Sequence, residues 1–244
     1  MTLFDLKSIT VRILLLVCIA PLAAFSQSKN TADYLDGTFS FAKYEGSLAV
    51  HFTHLWKLGK AQKFSFGVGG RVTSYVGANQ YYITAPAELT SGGTGPLVIF
   101  KENIVENIDS LLVKSPWVTS INASINIQYQ VSAKLSVGFN IDAIGFSFGG
   151  KKQGNYINGF NGAITQGKPT GFNILLISDN DRGTLNSELF ARYQLNDKWS
   201  LKLGASFLFT EYTSNTNVQT FPEENDRFRN KSLMLGLGVS YQIK

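Results

Sequence analysis

His51 and His54 are the only histidines in the chain, and they lie three residues apart. In an extended strand, side chains three apart point to opposite faces. A zinc site needs its ligands converging on one side, with others to complete the shell. No metal and no cofactor are therefore expected. The stretch "SGGTG" at 91–95 has the glycines of a phosphate loop but not the Gly-Lys-Ser/Thr that grips the phosphates, so it reads as linker. "DNDRG" at 179–183 spaces two acids as a calcium loop does but lacks the bidentate acid further on, so it reads as a turn. The charges Arg71, Asp142, Glu188, Arg192 and Lys202 are more informative. Each falls on the polar side of a stretch in which apolar and polar residues alternate. If that side is enclosed, burying them singly would be too costly, so they should pair. Such a network either gates a narrow path or simply plugs it, and the plug is the expected reading.

The elements that must position these charges are strands. Ile121, Ala123, Ile125, Ile127 and Tyr129 alternate with Ser120, Asn122, Ser124, Asn126 and Gln128. Leu135, Val137, Phe139 and Ile141 alternate with Ser136, Gly138, Asn140 and Asp142. This period of two recurs around Leu48–Trp56, Phe64–Thr73, Leu185–Leu195, Trp199–Thr210 and Ser232–Ile243. A weaker segment at Leu35–Ala42 makes eight.

The connections differ in length. Lys57–Gln62, Gln130–Lys134 and Asn196–Lys198 are short. Gly77–Pro116, Gly149–Gly183 and Thr213–Asn230 are long and polar. The join near Tyr44–Gly46 is short and breaks the alternation. Antiparallel strands crossing an outer membrane have tight periplasmic turns and long outer loops. Trp56, Phe64, Tyr129, Tyr193, Trp199 and Tyr241 all fall on the apolar face near a short turn or the C-terminus. Together they would form a periplasmic girdle at the membrane interface. The polar face is rich in glycine and serine, which suits a narrow interior filled by side chains. The expected fold is all-β: an eight-stranded antiparallel transmembrane β-barrel with its dry face outward. Within the long loops, Ile104, Ile108, Leu111 and Leu112 recur at helical intervals, predicting a short helix in 99–113. Phe172–Ser178 reads as a strand-like run.

The N-terminus reads as an export signal. Lys7 and Arg12 precede the apolar run Ile13–Ala24, and Ala24-Phe-Ser26 is a small-x-small cleavage site. This assigns 1–26 to a signal peptide and 27–244 to the barrel domain. The run falls short of the ~20 residues a spanning helix needs. Cys18 is the single cysteine and leaves with the signal, which excludes disulfides and thiolate metal sites from the mature chain. A formal net charge of +5 is spread thinly, with no basic run to suggest nucleic acid. A mean hydropathy of +0.01 does not argue against a membrane location, because spanning strands hide their apolar residues at every second position.

These features together resemble the small outer-membrane β-barrels of Gram-negative bacteria, of the OmpA and OmpW types. "GFNIDAIGFSFG" (138–149) and "LNSELFARYQ" (185–194) look similar to uncharacterised barrels of the Bacteroidetes type. The familiar C-terminal insertion signal ends in an aromatic residue, whereas here Tyr241 is followed by Gln-Ile-Lys. The resemblance implies a monomer in the cell outer membrane, in contact with its lipid and inserted by the barrel-assembly machinery. It implies a non-enzymatic, structural or surface-interaction role through the long loops. The alternative is a porin-like passage for a small or apolar solute, past an outer end bearing Tyr75, Tyr81, Tyr82, Phe146 and Phe148. Lipid-modifying enzymes also use such barrels, but they require a nucleophile and base within ~3 Å at outer-leaflet height. The sequence offers no such pair.

Overall fold

The computed structural model describes residues 30–157, 163–176 and 178–243. The expected signal segment, with Cys18, lies outside the described residues. In chain order the strands are β1 (Thr31–Ala42), β2 (Glu45–Leu58), β3 (Phe64–Gly77), β4 (Gln80–Thr84), β5 (Ser110–Val113), β6 (Trp117–Gln130) and β7 (Leu135–Phe148). Then come β8 (Lys152–Tyr156), β9 (Ile164–Pro169), β10 (Phe172–Ile174), β11 (Leu185–Gln194), β12 (Trp199–Ser214) and β13 (Arg227–Gln242). All thirteen belong to one sheet.

Its pairings run in a ring. β1 pairs β2, β2 pairs β3, β3 pairs β6 and β6 pairs β7. β7 then pairs β11, β11 pairs β12, β12 pairs β13, and β13 returns to β1. The eight predicted segments all lie on these long strands. The sheet nevertheless has thirteen strands, because five short ones form within the predicted long loops. Side-chain alternation explains the ring's two faces. On β12, Leu201 and Leu203 are exposed while Ser200, Lys202 and Ser206 are buried. On β6, Ile121, Ile125, Ile127 and Tyr129 are exposed while Asn122, Ser124, Asn126 and Gln128 are buried. The apolar side chains point away from the interior, the reverse of an ordinary water-soluble core.

The joins β1–β2, β2–β3, β6–β7 and β11–β12 are tight. Tyr44 takes a left-handed φ of 65° at the first, and Gly59 takes 75° at the second. Glycine meets that conformation at little cost.

Four of the five short strands form a second circuit above the ring. The far end of β12 pairs β9, β9 pairs β8, β8 pairs β5, β5 pairs β4, and β4 pairs β13. Here the usual polarity returns. Tyr82, Leu111, Val113, Tyr156, Tyr212 and Phe228 are buried together as a dry core. Tyr82 and Tyr212 meet edge to face at 5.2 Å, a favoured aromatic geometry. The loops thus fold into a cap.

The helix predicted within 99–113 does not form. That stretch holds 3₁₀ turns at Pro96–Phe100 and Val105–Asn107 and then β5. Leu111 and Val113 bury on one side of β5, a period of two that pays off only through pairing with β4 and β8. The described α-helix is instead α1 (Ala87–Ser91), closed by Gly92 at φ 63°. That glycine is the turn "SGGTG" supplies. The strand-like run at 172–178 is a strand over Phe172–Ile174, paired to the upper half of β7. Among the described residues, no helix is long and apolar enough to cross a membrane.

Candidate functional site

The ring brings together charges that stand far apart in sequence. Arg71 on β3 reaches across to β7 and β11. Its Nε and Nη2 donate to Asp142 at 2.9 and 2.6 Å, and its Nη1 donates to Asn140 at 2.6 Å. Nη1 also lies 3.3 Å from Glu188. Lys202 on β12 donates to Glu188 at 2.7 Å and lies 3.5 Å from Asp36 on β1. Arg192 on β11 donates to Asp36 at 3.0 Å, to Gln128 at 2.6 Å and to Ser240 at 3.0 Å. Asp142 further accepts from the Asn122 amide at 2.8 Å and the Asn186 backbone N–H at 2.9 Å. All six charged side chains are buried.

The cluster holds three cations, Arg71, Arg192 and Lys202, and three carboxylates, Asp36, Asp142 and Glu188. Formal charge therefore cancels within the cluster. Removing Arg71 would leave Asp142 without an opposite charge, and removing Asp36 would do the same to Arg192. The structure brings all five sequence-predicted charges into this cluster and adds Asp36. Asp36 alternates with Thr38 and Ser40 on β1, and its segment was the weakest of the eight by pattern.

Phe190 was also missed. It points inward between Glu188 and Arg192 on β11, with Lys202 Nζ 4.4 Å and the Arg192 guanidinium 5.2 Å from its ring centroid. Both distances suit cation–π attraction. Space for this ring comes from Gly138 and Gly204. A Cβ on Gly138 would stand 2.5 Å from the Phe190 ring, and one on Gly204 would stand 2.8 Å from the Phe190 backbone. Beneath, the Arg192 guanidinium stacks 4.0 Å from the centroid of Tyr34. Above the charges, Tyr75, Leu208 and Met234 form an apolar layer. Side chains thus cross the interior at successive levels from Tyr34 and Arg192 up to Tyr75, Leu208 and Met234.

The histidines part as their spacing predicted. His51 faces inward and lies 2.7 Å from Ser124 Oγ. This Ser–His pair escaped the sequence reading because β2 and β6 are not adjacent in chain order. It is enclosed, and His51 Nδ1 has no hydrogen-bond partner, so no third group orients the ring as a hydrolytic triad requires. His54 lies on the other face. It is only 5% exposed, its Nδ1 lies 2.5 Å from Asp33, and it meets Trp56 edge-on at 4.7 Å. An imidazole with a carboxylate partner tolerates burial that a lone one would not.

The six aromatics of the expected girdle all lie near the tight-turn end. Trp56, Phe64, Tyr129, Tyr193 and Trp199 are exposed on the outer face, and Tyr241 packs edge-on against Trp199 at 5.0 Å. The aromatics expected at the other end do not line one passage. Tyr75 and Tyr82 are buried inside ring and cap, whereas Tyr81, Phe146 and Phe148 are exposed. Asp179 and Asp181 of "DNDRG" do not converge on a cation site. Asp179 accepts from Lys231 at 2.6 Å, and Asp181 accepts from the Leu176 N–H at 2.6 Å. Burial raises the Asp181 carboxyl above its ordinary range.

No family model matches this chain, and no curated protein matches it. Among solved structures, it is loosely similar to the neisserial surface protein A, at 10% identity and a TM-score of 0.38, over 88% of this chain and 99% of that one. It is also similar to the toluene transporter TodX of Pseudomonas putida, at 10% identity and a TM-score of 0.25, over 89% and 80% of the two chains. A FadL homologue of Pseudomonas aeruginosa shares 13% identity at a TM-score of 0.23, over 81% and 68%.

Proposed function

We propose that this chain is an eight-stranded transmembrane β-barrel of the bacterial outer membrane, closed inside, whose role is to hold a folded cap of loops at the cell surface. The eight strands are those of the pairing ring. The observation that carries the reading is the inversion of polarity between ring and cap. Outside the ring, Leu48, Val50, Ile121, Leu203, Leu235 and Leu237 are all about half exposed. An apolar surface of that extent is far beyond what a monomer in water keeps. Burying it in lipid is worth roughly 25 cal/mol per Å². The cap, which would stand in water, buries an apolar core of Tyr82, Leu111, Val113, Tyr156, Tyr212 and Phe228. The aromatics at the tight-turn end would mark the periplasmic interface.

A closed interior favours a scaffold over a channel. Arg71, Phe190, Arg192 and Lys202 fill the ring, and Tyr75, Leu208 and Met234 lie above them. The proposed role is non-enzymatic, and the burial of the Ser124–His51 pair supports that reading. The mature chain, folded and reconstituted in planar bilayers, is expected to insert without producing stable conductance steps. Steps that change on Glu188→Ala would overturn the closed interior and favour the solute passage.

A further inference from the structure

Leu185, Glu211 and Arg229 stand at outward positions on their strands, yet all three are buried. Residues 179–182 of the connection from β10 to β11 lie over Arg229 as a strap on the outer wall, and Arg229 in turn pairs with Glu211. Ile174 and Arg182 bridge the strap's two legs, with backbone hydrogen bonds of 3.0 and 3.1 Å. The Asp181 carbonyl accepts from Arg229, and Arg229 also donates to Glu211 at 2.9 Å. Lys231 ties down Asp179. Below this clasp lies a cleft of about 380 Å³ between strap and wall. Leu175 comes from the strap, and Ile141, Leu185, Ser187, Phe207 and Phe209 from the wall. Phe207 and Phe209 meet edge to face at 4.8 Å.

We infer that this cleft seats one acyl chain of a phosphate-bearing bilayer lipid. The inference rests on the membrane reading above. The cleft's walls are outward side chains of β7, β11 and β12. Phe139, Leu189 and Leu203 continue the same strands toward the tight turns, exposed on the same face. The cleft therefore adjoins the surface proposed to meet lipid, where acyl chains are the most abundant apolar matter. At its cap end Lys231 stays about one-third exposed, its Nζ 5.7 Å from the Phe209 ring centroid. A long cation beside an apolar seat suits the height of lipid phosphates, where lysine stems lie along apolar surface and the ammonium stays wet. Asp181 also lines the cleft, where its carboxylate accepts from the Leu176 N–H at 2.6 Å.

The test uses the mature chain folded in phosphatidylglycerol vesicles, extracted in mild detergent and weighed by native mass spectrometry. The intact chain is expected to retain one phosphatidylglycerol. Ser187→Trp, which fills the cleft, is expected to lower the retained fraction at least tenfold. Leu235→Trp, on the open wall, should leave it unchanged. Ser187→Leu serves as a milder filler should the tryptophan prevent folding. An intact chain without a lipid adduct, or equal retention in the filled variant, would overturn the inference, as would a small apolar solute in the cleft of protein purified from cells. A chain that stays soluble without detergent would sink the membrane reading itself; one that needs detergent but holds no lipid would sink only the lipid seat.

Discussion

Replacing Arg71 by methionine is expected to destabilise the folded chain by about 3–5 kcal/mol, the range for removing one partner of a buried ion pair. Methionine fills much of the space, so the loss is one of charge and hydrogen bonds rather than of packing. Asp142 would lose both guanidinium contacts, at 2.9 and 2.6 Å, keeping only neutral donors. Glu188 would fare better, because Lys202 still holds it at 2.7 Å. The double variant Arg71→Met, Asp142→Asn is therefore expected to recover part of the loss, since it removes the stranded carboxylate with its partner. Urea unfolding in detergent micelles, followed by tryptophan fluorescence, measures both. A loss below about 1 kcal/mol in the single variant would mean that water reaches the cluster and screens it.

The second large effect belongs to the cap. Leu111→Ala is expected to cost about 2–5 kcal/mol of cap stability, as large-to-small changes do in a dry core. Leu111 is buried against Gly154, whose added Cβ would fall 2.8 Å from the leucine side chain. The consequence should be local. Hydrogen exchange should accelerate in β4, β5 and β8 while β2, β3 and β12 keep their protection. Equal loss of protection in the ring would show that cap and ring unfold as one unit. No change at all would show that the cap core is not closed.

The ring was readable from sequence because its signal is repeated. Each of the eight segments carries apolar residues at every second position, and Ile121 to Tyr129 keeps the rule without a break. The interior charges were readable for the same reason. A charge on the polar side of an enclosed strand must find a partner, whichever strand supplies it. Asp36 was harder, because β1 has few large apolar residues to set its phase. Phe190 was missed because it contradicts the alternation. An aromatic side chain on the polar face is admitted only where neighbouring strands supply glycines, and Gly138 and Gly204 are 52 and 14 residues away in number.

The cap was least readable. Its strands are four to six residues long. Runs that short hold too few repeats to separate a period of two from a helical one, which is why Ile104–Leu112 suggested a helix. The pairing of β5 with β8 decides the matter, and that pairing joins two different loops. The burial of Leu185 beside the strap was likewise invisible, since alternation gives the face of a residue but not what lies over it.

The central claim is that the ring turns its apolar face to lipid. Among the ring residues 32–243 there is no native cysteine, so nitroxide labels can be attached at single cysteines introduced along β12 from Ser200 to Phe207. In lipid vesicles, labels at 201, 203, 205 and 207 are expected to collide readily with dissolved oxygen, and labels at 200, 202, 204 and 206 to be shielded from it. That period of two is the predicted result. Labels at the odd positions that instead collide with a water-soluble nickel reagent, or a profile without alternation, would contradict the account.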